Sequence, residues 1–201
     1  MLCVLPNHLF CLLDRPESNF MILYVNACVR RESRTDFIAR ALLKKLGGEF
    51  TELKLSELAP EPLSFETLNK RTELIEKGDY SDPMFGLAKQ FRDADTILIA
   101  APFWDMSFPS VLKAYLENIY VTGIVSEYGA DGMPHGLCNA KKLYYVTTAG
   151  GPYIPDFSYD YIRSLSVTCF GIPDTDLIKA EMLDVYGYDA EEIVKNVISK
   201  L

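Results

Sequence analysis

Histidine occurs only twice in the chain, at His8 and His135, and neither is placed for a nucleophilic triad or a metal cluster. Five cysteines (Cys3, Cys11, Cys28, Cys138, Cys169) scatter without a C-x-x-C spacing and in odd number. That suggests neither a disulfide framework nor a zinc site and fits a reducing cytoplasm. The residue types that bear on chemistry gather in three short segments instead. In N-A-C-V-R-R-E-S-R-T, residues 26–35, the hydroxyls of Ser33 and Thr35 stand beside Arg30, Arg31 and Arg34 at the start of an amphipathic run. Ser33 with Asp36 three residues on reads as a helix cap of the capping-box kind. Free N–H groups at a helix start, hydroxyls and guanidinium groups together suit a phosphate. The plainer alternative is that Ser33 only caps its helix and the arginines are solvated. Neither G-x-G-x-x-G nor G-x-x-x-x-G-K-[ST] is present, which argues against a dinucleotide-binding Rossmann site or a P-loop.

The second segment, A-P-F-W-D-M-S-F-P-S at 101–110, puts two prolines, two phenylalanines and the only tryptophan directly after an apolar strand. Exposed aromatic surface of Phe103 and Trp104 suits a flat ring, and amides on a constrained turn at Asp105 and Met106 suit its polar rim. Phe108 is assigned to packing under the following helix. The third segment, T-T-A-G-G-P-Y at 147–153, contains Gly150 and Gly151, which let a backbone approach a planar ligand closely but also serve ordinary tight turns.

These segments need a frame that brings them together. From Met21 the pattern alternates strand and helix: M-I-L-Y-V-N, the run T-D-F-I-A-R-A-L-L-K-K-L ended by Gly47 and Gly48, then E-F-T-E-L-K-L. Helical stretches over 64–78 and 82–94 lead into D-T-I-L-I-A-A, whose unbroken apolar run predicts a strand covered on both faces. There follow a helix over 110–120, a glycine-rich segment to 136, a strand K-L-Y-Y-V-T-T, a helix over 159–170, a strand near 175–180 and a final helix from Asp189. This is an α/β chain with a doubly wound, five-stranded parallel sheet and helices on both faces. In such sheets ligands bind beyond the carboxyl ends of the strands where the strand order reverses, so the loops after strands one, three and four are the ones to search. The three segments are those loops.

The composition narrows the partners. A formal net charge of -8 and a pI near 4.8 argue against nucleic acid or an anionic membrane. Residues 1–20 contain an apolar stretch, but no basic residues precede it, Pro6, Asn7 and His8 interrupt it, and it is too short to span a bilayer. Because Met21 opens the first strand, residues 1–20 read as an extension upstream of a start at Met21, before a single domain over 21–201.

Taken together, N-x6-S-R-T, P-F-W-D-M-x-F-P and T-A-G-G resemble the flavodoxin-like NAD(P)H dehydrogenase family that includes FMN-dependent azoreductases and quinone reductases. The resemblance runs from about Met21 to the C-terminus and is most specific in P-F-W-D-M-S-F-P-S-V-L-K. It implies the flavodoxin-like strand order 2-1-3-4-5, bound FMN, NADH or NADPH as donor, a quinone or azo acceptor and a homodimer in the cytoplasm. It assigns the FMN phosphate and ribityl chain to Asn26, Ser33, Arg34 and Thr35, and the isoalloxazine ring to Phe103, Trp104, Asp105 and Met106. Thr148, Ala149, Gly150 and Gly151 match the turn at the pyrimidine end. Tyr128 matches an aromatic position near the substrate, often supplied by the partner subunit, and His135 is a candidate polar contact in the same covering loop. Asp105 stands where the family usually has Asn, Ala149 where it has Arg, and Val125 where it has an aromatic residue. The implied mechanism is ping-pong through the flavin N5, with no acid, base or nucleophile required of the protein. Two other readings share the fold: a single-electron carrier with an acidic docking face, and a flavin-free scaffold or regulatory module.

Overall fold

The chain alternates strand and helix along its length, and a computed structural model describes residues 20–153 and 157–201 of it. The reading of residues 1–20 as an extension lies, Phe20 aside, outside the described residues. Strands β1 (Met21–Asn26), β2 (Glu49–Lys54) and β3 (Thr96–Ala100) are followed, after a short two-stranded insertion, by β6 (Lys142–Thr148) and β7 (Asp174–Ala180). All five are parallel, in the order β2-β1-β3-β6-β7. Counting sheet strands alone, this is the expected 2-1-3-4-5.

The period of two along β1 divides the core. Leu23 and Val25 face one apolar layer with Ile97, Ile99, Phe91, Leu112 and Tyr115, while Ile22 and Tyr24 face the other with Leu98, Ile38, Leu42 and Val194. Helices α4 (Gly86–Asp93) and α5 (Ser110–Ile119) therefore cover the first face, and α1 (Arg34–Leu46) and α7 (Ala190–Ser199) the second. All five residues of β3 are buried, which accounts for its unbroken apolar sequence. The edge strand β2 has no buried residue.

Three details depart from the sequence-based expectation. The glycine-rich segment before 136 forms an antiparallel hairpin, β4 (Ser126–Tyr128) paired with β5 (Pro134–Gly136). The helix expected over 159–170 is α-helical only as α6 (Tyr159–Leu165), then loosens into a π-helical turn, Ser166–Phe170, ended by left-handed Gly171. Leu55 leaves the second strand to start the short helix α2 (Leu55–Leu58), where its side chain is buried. The remaining helix, α3 (Phe65–Glu76), is capped by Ser64 and buries none of its residues.

Candidate functional site

Between β1 and β3 the strand order reverses, and the backbone fans out there. Ala27 N donates to Ala100 O at 2.8 Å, Ala101 N to Val146 O at 3.0 Å and Phe103 N to Thr148 O at 3.0 Å. These bonds draw the three sequence-predicted segments around one cleft of about 1030 Å³, at the upper end of the range for small-molecule sites. Ser33, Arg34, Thr35, Phe103, Trp104, Thr148, Ala149 and Gly150 line it, together with Arg30 and Arg31. Asn26, Asp105, Met106, Gly151, Tyr128 and His135 do not.

At the start of α1, Ser33 Oγ accepts from Asp36 N at 3.3 Å, the expected cap. The reciprocal half of a capping box is absent, because the Asp36 carboxylate is turned toward β1. It accepts from Tyr24 Oη at 2.5 Å, Asn26 Nδ2 at 3.1 Å and Arg40 Nε at 3.0 Å. Asn26 is buried beneath the loop: Nδ2 also donates to Glu52 at 2.8 Å, and Oδ1 accepts from Cys28 N at 3.0 Å. Arg40 closes the network on both Glu52 oxygens at 2.8 and 2.9 Å. Burial, and then the neighbouring Asp36 carboxylate, hold the Tyr24 phenol well above its ordinary range. Burial pushes the Cys28 thiol up to about 11, so it is protonated and a poor nucleophile near neutral pH.

Thr35 is fully buried, and its Oγ1 lies 2.7 Å from Thr148 Oγ1. This bond ties the first loop to the third. Whichever hydroxyl donates, the other keeps a proton for a ligand in the cleft.

In the second loop, Trp104 and Ser107 exchange hydrogen bonds at 3.0 and 2.7 Å and close a two-residue turn. Both central residues are left-handed, Asp105 at φ 50° and Met106 at φ 65°. Two adjacent non-glycine residues in that region cost about 1–2 kcal/mol each, a strain of the kind that gathers at ligand sites. Their amides donate to no other described residue. Phe103 packs on Tyr153 with ring centroids 4.8 Å apart, whereas Trp104 is 37% exposed. Phe108 packs against Tyr161 of α6 and on the core layer that α5 covers.

The third loop is braced by residues the sequence reading did not single out. Met182 N donates to Gly151 O at 2.9 Å, Leu183 N to Ala149 O at 3.2 Å and Asp184 N to Gly150 O at 2.8 Å. A Cβ on Gly150 would lie 2.5 Å from Asp184 Oδ2, the movable end of that side chain, while Gly151 has open space around it. Leu183, Asp184 and, from α7, Glu191 and Lys195 complete the lining. They follow the last strand, so the rule that ligands sit beyond carboxyl strand ends would have found them had it been applied to every loop. Tyr128 and His135 stand exposed on the β4–β5 hairpin, where His135 Nε2 is 3.8 Å from Asp131 Oδ1.

A sequence profile described as flavodoxin-like fold matches residues 21–200. The chain belongs to the flavodoxin-like family. Its flavodoxin-like relatives include "FMN-dependent NADH:quinone oxidoreductase 2" of Clostridium acetobutylicum, 36% identical over 191 residues, which cover 89% of this chain and 94% of the relative. The "FMN-dependent NADH:quinone oxidoreductase" of Clostridium beijerinckii is 40% identical over 189 residues, with the same coverage of 89% and 94%. Among solved structures, the azoreductase from Bacillus anthracis str. Sterne superposes with a TM-score of 0.76 at 21% identity, covering 90% of this chain and 95% of that one. At that identity the likeness speaks for the fold.

Proposed function

We propose that the cleft holds FMN and that the protein is an NADH-dependent oxidoreductase of quinones and azo compounds. The observation that carries this is the meeting, in one cleft, of the Ser33–Thr35 helix start with the Phe103–Trp104 segment and its strained turn. The residues present fit the cofactor. The hydroxyl-rich start of a thirteen-residue helix and Arg34 suit its phosphate. Phe103 and Trp104 suit its ring, and the amides of Asp105 and Met106, which donate to no other described residue, suit the ring's polar edge. Thr148, Ala149 and Gly150 offer a small-residue border. Asn26 supports the phosphate loop from beneath. When bound, FMN supplies the electron transfer between nicotinamide and acceptor. The protein's part is to orient the ring and keep one face open.

On this reading Asp105, next to Trp104 though outside the cleft lining, sets a negative charge near the ring's edge and disfavours its gain of electrons. Asp105→Asn is expected to raise the flavin midpoint potential by about 20 mV, the two-electron equivalent of about 1 kcal/mol; redox titration showing no rise would remove this role. Tyr128 and His135 lie outside their own chain's cleft, which suits the arrangement the family resemblance implies, a homodimer in which each hairpin reaches the partner's cleft. Tyr128→Ala should then raise the Michaelis constant of the acceptor severalfold while light scattering still reports a dimer; unchanged kinetics would refute it. Among the described residues no helix is long and apolar enough to cross a membrane, and the reading places the enzyme in the cytoplasm.

The function itself is tested by anaerobic absorbance of the FMN-reconstituted protein. Bleaching of the flavin band by NADH and its return on adding a quinone is the expected result. Bound flavin that stays oxidised with either nicotinamide nucleotide would point to the single-electron carrier, and no bound flavin to the cofactor-free scaffold.

A further inference from the structure

Asp184 brings a carboxylate against Arg34 in a cleft whose lining also holds Glu32, Asp36 and Glu191. It lines the cleft with Arg34 and Gly150, and its Oδ1 accepts from Arg34 Nη1 at 2.8 Å. Its backbone is held from several sides. Its own N–H is bonded to Gly150 O, and the two residues before it are bonded to Gly151 and Ala149, with Met182 held in the left-handed region at φ 68°. The carboxylate lies against Gly150, where a Cβ would come within 2.5 Å of Oδ2, an end of the side chain that is free to turn. Both side chains stay open to solvent, Arg34 at 50% and Asp184 at 67%, and among the described residues Arg34 makes one further, long contact of 3.5 Å to Leu183 O.

We infer that Asp184 is a resident competitor for Arg34, a carboxylate that the phosphate monoester of the cofactor must displace from the guanidinium on binding. The inference rests on the reading of the cleft as an FMN site. The carboxylate occupies Nη1 of Arg34, and a phosphate takes that donor only by breaking the pair. Any repulsion between carboxylate and phosphate has the same sign. Asp184 thus sets the affinity for the phosphate and leaves the ring untouched, so it discriminates between forms of the flavin with and without phosphate.

The test is a titration of the flavin-free full chain with FMN and with riboflavin, which lacks the phosphate, followed by flavin fluorescence. Wild type and Asp184→Asn are compared, and the same substitution is repeated in an Arg34→Gln background. The expected result is FMN binding about threefold tighter in Asp184→Asn, the order set by a half-exposed ion pair, with riboflavin unchanged and most of the gain absent in the Arg34→Gln background. Equal or weaker FMN binding, an equal change for riboflavin, or the full gain without Arg34 would overturn the competition. Wild type that binds no FMN at all would overturn the flavin reading and this inference together, whereas FMN binding indifferent to Asp184 overturns the inference alone.

Discussion

Gly136→Ala is expected to destabilise the protein by about 3 kcal/mol or more, the upper range for forcing atoms into a packed site. A Cβ at this position would lie 2.0 Å from Gly171 N, 2.0 Å from Phe170 C and 2.3 Å from Phe170 O. All three are backbone atoms, so no side chain can swing aside. Hairpin β4–β5 must lift off the π-helical turn, or the turn must unwind. Lifting also breaks the bond from Cys138 N to Phe170 O at 3.3 Å and strains that from Leu137 N to Val125 O at 2.9 Å. The comparison that isolates the collision is Gly86→Ala. Gly86 has ordinary helical dihedrals, φ -57° and ψ -46°, at the first position of α4, and nothing lies within 4 Å of its would-be Cβ. Alanine there should stabilise by roughly 0.5–1 kcal/mol by restricting the unfolded chain. Urea denaturation of the two variants should therefore shift in opposite directions; a neutral Gly136→Ala would mean that the hairpin is not seated on this glycine. Because Tyr128 rides on the hairpin, the same variant should also disturb acceptor kinetics before it disturbs flavin binding.

That seat shows where sequence reading runs out. β3 was legible because a strand buried on both faces must be apolar throughout, and α1 because Ser33 opens it and Gly47, at φ 67°, closes it. The hairpin was not legible, since each of its strands has three residues and Gly129, Gly132 and Gly136 imitate a loop. What holds it is a contact between residues 35 apart in the chain, Gly136 with Gly171, which no local pattern announces. The cleft followed from the strand-end rule applied to three loops, while its Asp184 side came from a fourth. Asp36 shows a finer limit. Its spacing from Ser33 suits a capping box, yet the sequence does not say which way a short carboxylate turns, and the phenol of Tyr24, buried on the adjacent strand, decides it.

Asn26 is where that limit bears on function, because family resemblance makes it a cofactor residue and its hydrogen bonds make it a support. Asn26→Ala is expected to cost about 3 kcal/mol or more. It leaves the buried N–H of Cys28 without its acceptor at 3.0 Å and takes a donor from both Asp36 and Glu52. Arg40 remains as the cation between those two carboxylates. Asn26→Asp keeps the shape but sets a third carboxylate against them, so it should be the worse substitution at neutral pH. In the folded state the introduced carboxyl group would have a raised pKa, because its neighbours are anionic. Its protonated form can donate where the amide did, so the lost stability should return as the pH falls below the ordinary carboxylate range and disappear again as the pH rises through the folded-state value. Flavin titration then separates the two roles. A support acts on the loop as a whole, so in Asn26→Ala the affinity for FMN and the affinity for riboflavin should fall by the same factor. A residue that binds the phosphate would weaken FMN alone and leave the denaturation midpoint near that of the wild type.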